Sequence, residues 1–142
     1  MKLPGSTGFN LDRFCAEQGD TLARAVASAL DDAKKADNLI TKALSVLQEQ
    51  GLYAYVLFCR SRGDGENVGA LKLEEVTSDM LADERLNLVG TGDLLEEIRR
   101  ENGLASDLEK LLLACKILEQ ALIYARYHAK AMNKKTPSGG DA

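Results

Sequence analysis

From Ser106 onward the chain carries its most regular pattern. Leu108, Leu111, Leu112, Cys115, Leu118, Leu122, Ala125 and Ala129 recur at steps of three and four residues. Only an α-helix brings residues at that spacing onto one stripe. Ser106 followed by Glu109 reads as a capping box at its start, so the spacing predicts one long helix from about Asp107 to Lys134. A helix this long with an apolar stripe cannot stand alone in water, and other helices must cover it.

The rest of the chain supplies candidates. Asn10 caps a predicted helix that starts at Leu11 and carries Phe14, Cys15, Leu22, Val26, Ala29, Leu30 and Ala33 on one stripe, with Gly19 as a weak point. Its end is open, near Lys35. Asp37 is the expected cap of a second helix, with Ile40, Ala43, Leu44 and Leu47 on its apolar face and Gly51 as its stop. Leu52 to Cys59 is a run of eight apolar residues that taken alone fits a buried strand or a buried helix. Helical neighbours and the lack of a partner strand favour a short central helix.

Gly63-Asp64-Gly65 reads as a loop. Leu71, Leu73, Val76, Met80 and Leu81 sketch a further helix. Asp93 with Glu96 forms a capping box for a short helix through Ile98, closed by Asn102-Gly103. The expected architecture is all-α: a single-domain bundle of five or six helices over residues 11–135, with a long C-terminal helix. Loose segments are expected at residues 1–10 and 136–142. Leu47, Leu57, Leu112 and Leu118 are expected in the core, where helices cross.

Composition narrows the function. Aromatics are 5% of the chain and tryptophan is absent, which suits Leu/Ala-rich helices better than sheet. No apolar run reaches the roughly 18 residues that span a bilayer. The start, Met1-Lys2-Leu3-Pro4-Gly5, lacks the apolar stretch of a secretory signal. The expectation is a cytoplasmic protein with no membrane partner. Cys15, Cys59 and Cys115 are far apart, no Cys-x-x-Cys pair occurs, and His128 is the single histidine. That set is too thin for a zinc site or a nucleophile–base pair. Gly63-Asp64-Gly65 lacks the Gly-Lys-Ser/Thr of a phosphate loop. No cofactor and no catalytic residues are expected.

Charge is more informative. The total is −4, but residues 60–110 hold seven basic and thirteen acidic side chains, net −6, and residues 111–142 hold five and two, net +3. Arg126, Lys130 and Lys134 stand at i, i+4 and i+8, a row on one helix face that suits successive phosphates. Cations near a helix C-terminus also simply complement its dipole. Lys34, Lys35 and Lys42 form a second basic group.

One stretch carries a family resemblance. Gln50-Gly51-Leu52 joins two expected helices, and the second closes with Phe58-Cys59-Arg60-Ser61-Arg62-Gly63. This resembles the small helical subunit of type III-B CRISPR effector complexes (the Cmr small subunit). There a helix ending in Asn-Gly-Leu leads to a short apolar helix closed by Phe, one residue, and basic-Ser-basic-Gly. Tyr124-Ala125-Arg126-Tyr127-His128-Ala129-Lys130-Ala131 resembles that family's closing helix. The resemblance spans roughly residues 11–135, and small subunits of type III-A, III-D and type I complexes are similar bundles.

The resemblance implies a subunit without a nuclease site, stacked head to tail beside backbone subunits that hold the guide RNA, with a large subunit nearby and basic faces lining the channel for target RNA. It adds Arg60 and Arg62 to the residues expected at nucleic acid, and places Lys42 where that family tends to carry lysine. The expected contact set is therefore Lys34, Lys35, Lys42, Arg60, Arg62, Arg126, Lys130 and Lys134. The rival expectation is a helical protein–protein adaptor or regulator with no nucleic-acid role.

Overall fold

Caps and glycines divide the chain into helices, and the computed structural model describes residues 9–135 of the result. It is all-α, with no strand among those residues. Six α-helices follow in order: α1 Leu11–Leu30, α2 Ala33–Gln50, α3 Leu52–Ser61, α4 Asn67–Ala82, α5 Leu94–Arg99 and α6 Leu108–Lys135. A single 3₁₀ turn, Leu104–Ser106, precedes α6. Residues 1–8 and 136–142, expected to be loose, lie outside the described residues.

Asn10 caps α1 as the sequence indicates, its side chain accepting from the Arg13 N–H at 3.0 Å. The break between α1 and α2 falls earlier than expected. Asp31 takes a left-handed conformation (φ 54°) and Asp32 caps α2, accepting from the Lys34 and Lys35 N–H groups at 2.9 and 3.1 Å. Aspartate tolerates the left-handed region better than most residues do. Asp37, the expected cap, lies inside α2. Its carboxylate instead accepts from the Thr41 hydroxyl and pairs with Lys130.

Gly51 separates α2 from α3 at φ 96°, a value L-residues avoid. The ambiguous apolar run after it is helix. Leu52, Tyr55, Val56 and Cys59 face inward at i, i+3, i+4 and i+7. Leu57 points the other way and is 46% exposed, contrary to its expected place in the core. The short α5 starts on Asp93, which accepts from the Glu96 N–H. The cap of α6 is Asp107, which accepts from the Lys110 N–H at 3.2 Å. Ser106, the expected cap, spends its hydroxyl on the Gly103 carbonyl inside the 3₁₀ turn.

Contacts fix the helix directions. Leu30 at the end of α1 lies against Gly69 near the start of α4, while Arg85, just past α4, sits over the ring of Phe14. These two helices are antiparallel. Gln48 meets Glu119 at 2.8 Å and Asp37 meets Lys130 at 3.3 Å, so α2 and α6 are antiparallel too. Cys15 Sγ lies 3.7 Å from the Ile117 carbonyl oxygen and Asp20 lies 3.8 Å from His128, so α1 runs alongside α6 in the same direction.

The core lies where α6 is embraced by α1 and α2, with Ile117, Leu118, Ala121, Leu122, Ala125 and Ala129 buried. Gly19 explains itself here: a Cβ on it would fall 2.6 Å from Tyr124 Cβ and 2.9 Å from the Ala121 carbonyl. The glycine allows the close approach of two helices, which outweighs its weak helix propensity. Leu47 and Leu118 are buried as expected, whereas Leu112 is 58% exposed. It sits one turn into α6, on the same face as Leu108 and Glu119. That face meets α2 only from Glu119 onward.

Candidate nucleic-acid interface

The antiparallel pairing of α2 and α6 has a consequence for charge. It sets the first turn of α2 beside the last turns of α6, pinned by the Asp37–Lys130 pair. Lys34 and Lys35, on the exposed first turn of α2, therefore share one end of the bundle with Lys130 and Lys134, about a hundred residues later in the chain. The two basic groups are one region in space. Asp32 binds backbone N–H groups of the two lysines, and their ammonium groups form no ion pair among the described residues. Lys134 is exposed and likewise forms none among those residues.

Arg126 is half-buried one turn before Lys130, on the helix face that also carries Glu119. Its Nε is buried and donates to no acceptor among the described residues. From Gln120 to Lys135 the sequence has no acid and four cations. The acids facing this half of α6 come from neighbours: Asp12 of α1 on the Tyr124 hydroxyl, Asp20 of α1 near His128, and Asp37 of α2 on Lys130.

The other expected residues gather elsewhere, between α2, α3 and α4, and each meets a carboxylate. Lys42 Nζ donates to Glu66 at 2.6 Å. Arg62 lies 3.5 Å from the same carboxylate and stacks over the Phe58 ring at 4.1 Å. Arg60 donates through Nε and Nη2 to both oxygens of Glu74, at 2.9 and 2.8 Å, and through Nη2 to Asp93 at 2.7 Å. This fork ties α3 to α4 and to the cap of α5. The hydrogen bond from Arg60, helped by the Glu96 N–H, holds the Asp93 carboxyl below the usual carboxylate range, and Glu74 in turn raises the Arg60 pKa. The Arg60-Ser61-Arg62 motif thus has work to do inside the fold.

Residues that could support other chemistry are dispersed. Among the described residues no three of His, Cys, Asp and Glu are grouped so as to hold a metal ion. Burial, aided by the Asp12 charge, pushes the Cys15 thiol up to about 11, and burial with the Glu74 charge pushes Cys59 up to about 12. Both stay protonated near neutral pH and are poor nucleophiles. A polar cleft of about 410 Å³ lies between the segment before α5 and the start of α6, lined in part by Gly90, Glu97, Arg100, Ser106 and Lys110. Glu97 is already engaged, accepting from the Gly90 N–H at 2.8 Å and facing Arg100 at 3.5 Å. No described helix is long and apolar enough to cross a membrane.

Sequence reasoning passed over Tyr127. It is 67% exposed and lies opposite the buried Ala125 and Ala129 stripe. Its helical phase against those alanines was the available signal. No protein-family model, curated protein or solved structure matches the chain.

Proposed function

We propose that the protein is a non-catalytic small subunit of an RNA-guided effector complex of the type III, Cmr-like kind, acting in antiviral defence. It stacks beside the backbone subunits and neighbouring copies of itself and contacts target RNA through phosphates. The observation that carries this reading is the union of two basic groups, Lys34–Lys35 and Arg126–Lys130–Lys134, at one end of an otherwise acidic bundle. Cations held on rigid helices suit a phosphate backbone and read no bases. The resemblance around Gln50 to Gly63 and in the closing helix supports the CRISPR assignment, and Gly51, the glycine of that motif, takes a positive φ between α2 and α3.

A single copy with net charge −4 binds RNA weakly in this reading, with a non-specific Kd on the order of 10⁻⁴–10⁻⁶ M at physiological salt. Several copies held along one strand multiply such contacts. Lys42, Arg60 and Arg62 contribute through the fold and through the turn they brace, because their charges are offset locally.

The exposed Leu108 and Leu112 favour a second reading, a helical adaptor that docks another protein. The separating experiment is target-RNA binding by the assembled complex carrying Lys34, Lys35, Arg126, Lys130 and Lys134 all changed to Ala. A variant that assembles and loses affinity and salt dependence supports the nucleic-acid role. One that assembles with both unchanged removes it and leaves the adaptor.

A further inference from the structure

We infer that Tyr127 is a base-stacking platform, so that this end of the bundle takes single-stranded rather than duplex nucleic acid. The inference rests on the nucleic-acid reading above and adds to it a residue and a substrate form.

Tyr127 is the one aromatic among the large apolar side chains exposed on the described surface. Other aromatic side chains have partners or cover: Tyr55 is buried against Thr77, Tyr53 accepts from Arg99, Tyr124 donates to Asp12, and Phe9 and Phe14 pack on each other under Arg85. An exposed tyrosine ring with no such contact is a free flat surface.

Its surroundings set the kind of ligand. At 1.5 Å per residue, Lys130 and Lys134 lie about 4.5 and 10.5 Å further along the axis, at i+3 and i+7 on nearly the same face. Lys116, exposed, lies on that face three turns before Tyr127. No acid occurs on α6 between Gln120 and Lys135. Asp37 of α2 reaches Lys130, and Asp20 of α1 faces His128 on the neighbouring side. A flat aromatic face with cations before and after it along one helix is the arrangement that holds an unpaired strand: bases stack on the ring and phosphates meet the lysines. In a duplex the bases are stacked on each other and offer a ring on a helix surface no face. An apolar protein partner would be served poorly by a lone ring set among lysines.

The test compares two probes on the full chain at low salt: a ten-nucleotide oligouridylate, and an abasic strand with the same number of phosphates. Stacking gives the base-bearing strand an advantage of about 5- to 150-fold. The Y127A variant, whose exposed position leaves the fold intact by circular dichroism, loses that advantage and keeps its affinity for the abasic strand. Y127F retains the advantage. K130A/K134A weakens both strands alike. Equal wild-type affinity for the two strands overturns the stacking role and leaves the phosphate reading standing, as does an unchanged advantage in Y127A. Failure of both strands to bind overturns the two readings together.

Discussion

Leu118 and Leu112, both on α6 and both expected in the core, meet opposite fates. From Ile117 to Ala129 the stripe is sealed between α1 and α2. In the first two turns Leu112 and Leu108 are exposed, the latter by 67%. The difference is one of face and of length: Leu111, Ala114 and Cys115 carry the buried stripe into the first half, whereas Leu108 and Leu112 stand about 80–120° around the helix from Leu118. With 28 residues α6 is about 42 Å long, while the 18 residues of α2 span about 27 Å. Gln48 meets Glu119, and Gly51 turns the chain away directly after, so the turns of α6 before Glu119 extend past the end of α2. Periodicity says which residues share a face. Only the lengths and directions of neighbouring helices say whether that face is covered.

The comparison is broken most readily by truncation on its two sides. Leu118→Ala, at a side chain with 0% exposure, is expected to cost about 2–5 kcal/mol. The same change at Leu112 costs less than about 1 kcal/mol, since much of that side chain already faces water. Urea denaturation of the two variants measures both; equal losses would mean that the overhang is covered.

Gly19→Ala tests the seam itself. The added methyl would overlap Tyr124 and the Ala121 carbonyl. It destabilises by about 1–3 kcal/mol despite better helix propensity, read as a fall in midpoint. A rise in stability would show that the two helices are further apart than the structure has them.

A smaller effect separates the two candidate caps at the basic end. Asp32→Ala removes acceptors from two N–H groups and costs about 1 kcal/mol. Asp37→Ala removes a partly covered pair with Lys130 and the acceptor of the Thr41 hydroxyl, and costs between about 0 and 1 kcal/mol. The reverse order would restore Asp37 as the cap.

The smallest perturbation is chemical labelling of thiols. Cys115 is partly exposed on the overhang side of α6, and Cys15 and Cys59 are buried. One thiol per native chain is expected to react readily, faster as pH rises toward its burial-raised pKa, and all three after unfolding. Ready reaction of Cys15 would show that the seam beneath Ile117 opens.

The helical class is legible in the chain because nearly every stripe, cap and glycine stop agrees on it. Even the run from Leu52 to Cys59, open between strand and helix by its own pattern, is settled once helices flank it. What sequence leaves hidden depends on distant partners. The choice of Asp32 over Asp37 as cap turns on Asp31 entering the left-handed region, which no local pattern announces. Leu57 is exposed because its phase opposes Tyr55 and Cys59, and Leu112 because the face it shares with Glu119 runs past the end of α2. Each expected cation is visible in sequence, but the carboxylates that neutralise Lys42 and Arg60, and so take them out of the site, are not. Glu66 lies 24 residues from Lys42, and Asp93 lies 33 residues from Arg60. The meeting of Lys34 and Lys35 with Lys130 and Lys134 follows from the antiparallel α2–α6 pair, which joins segments about a hundred residues apart.

That meeting is the centre of the account, and the salt dependence of binding tests it directly. Affinity of the full chain for a short single-stranded RNA is measured across sodium chloride concentrations, for wild type and for a variant with Lys34, Lys35, Lys130 and Lys134 changed to Gln. Three or four phosphate contacts predict a slope of log affinity against log salt of about −2 to −3 for the wild type. The variant is predicted to fall close to zero slope. A flat wild-type response, or a variant that keeps the wild-type slope and affinity, would contradict the account.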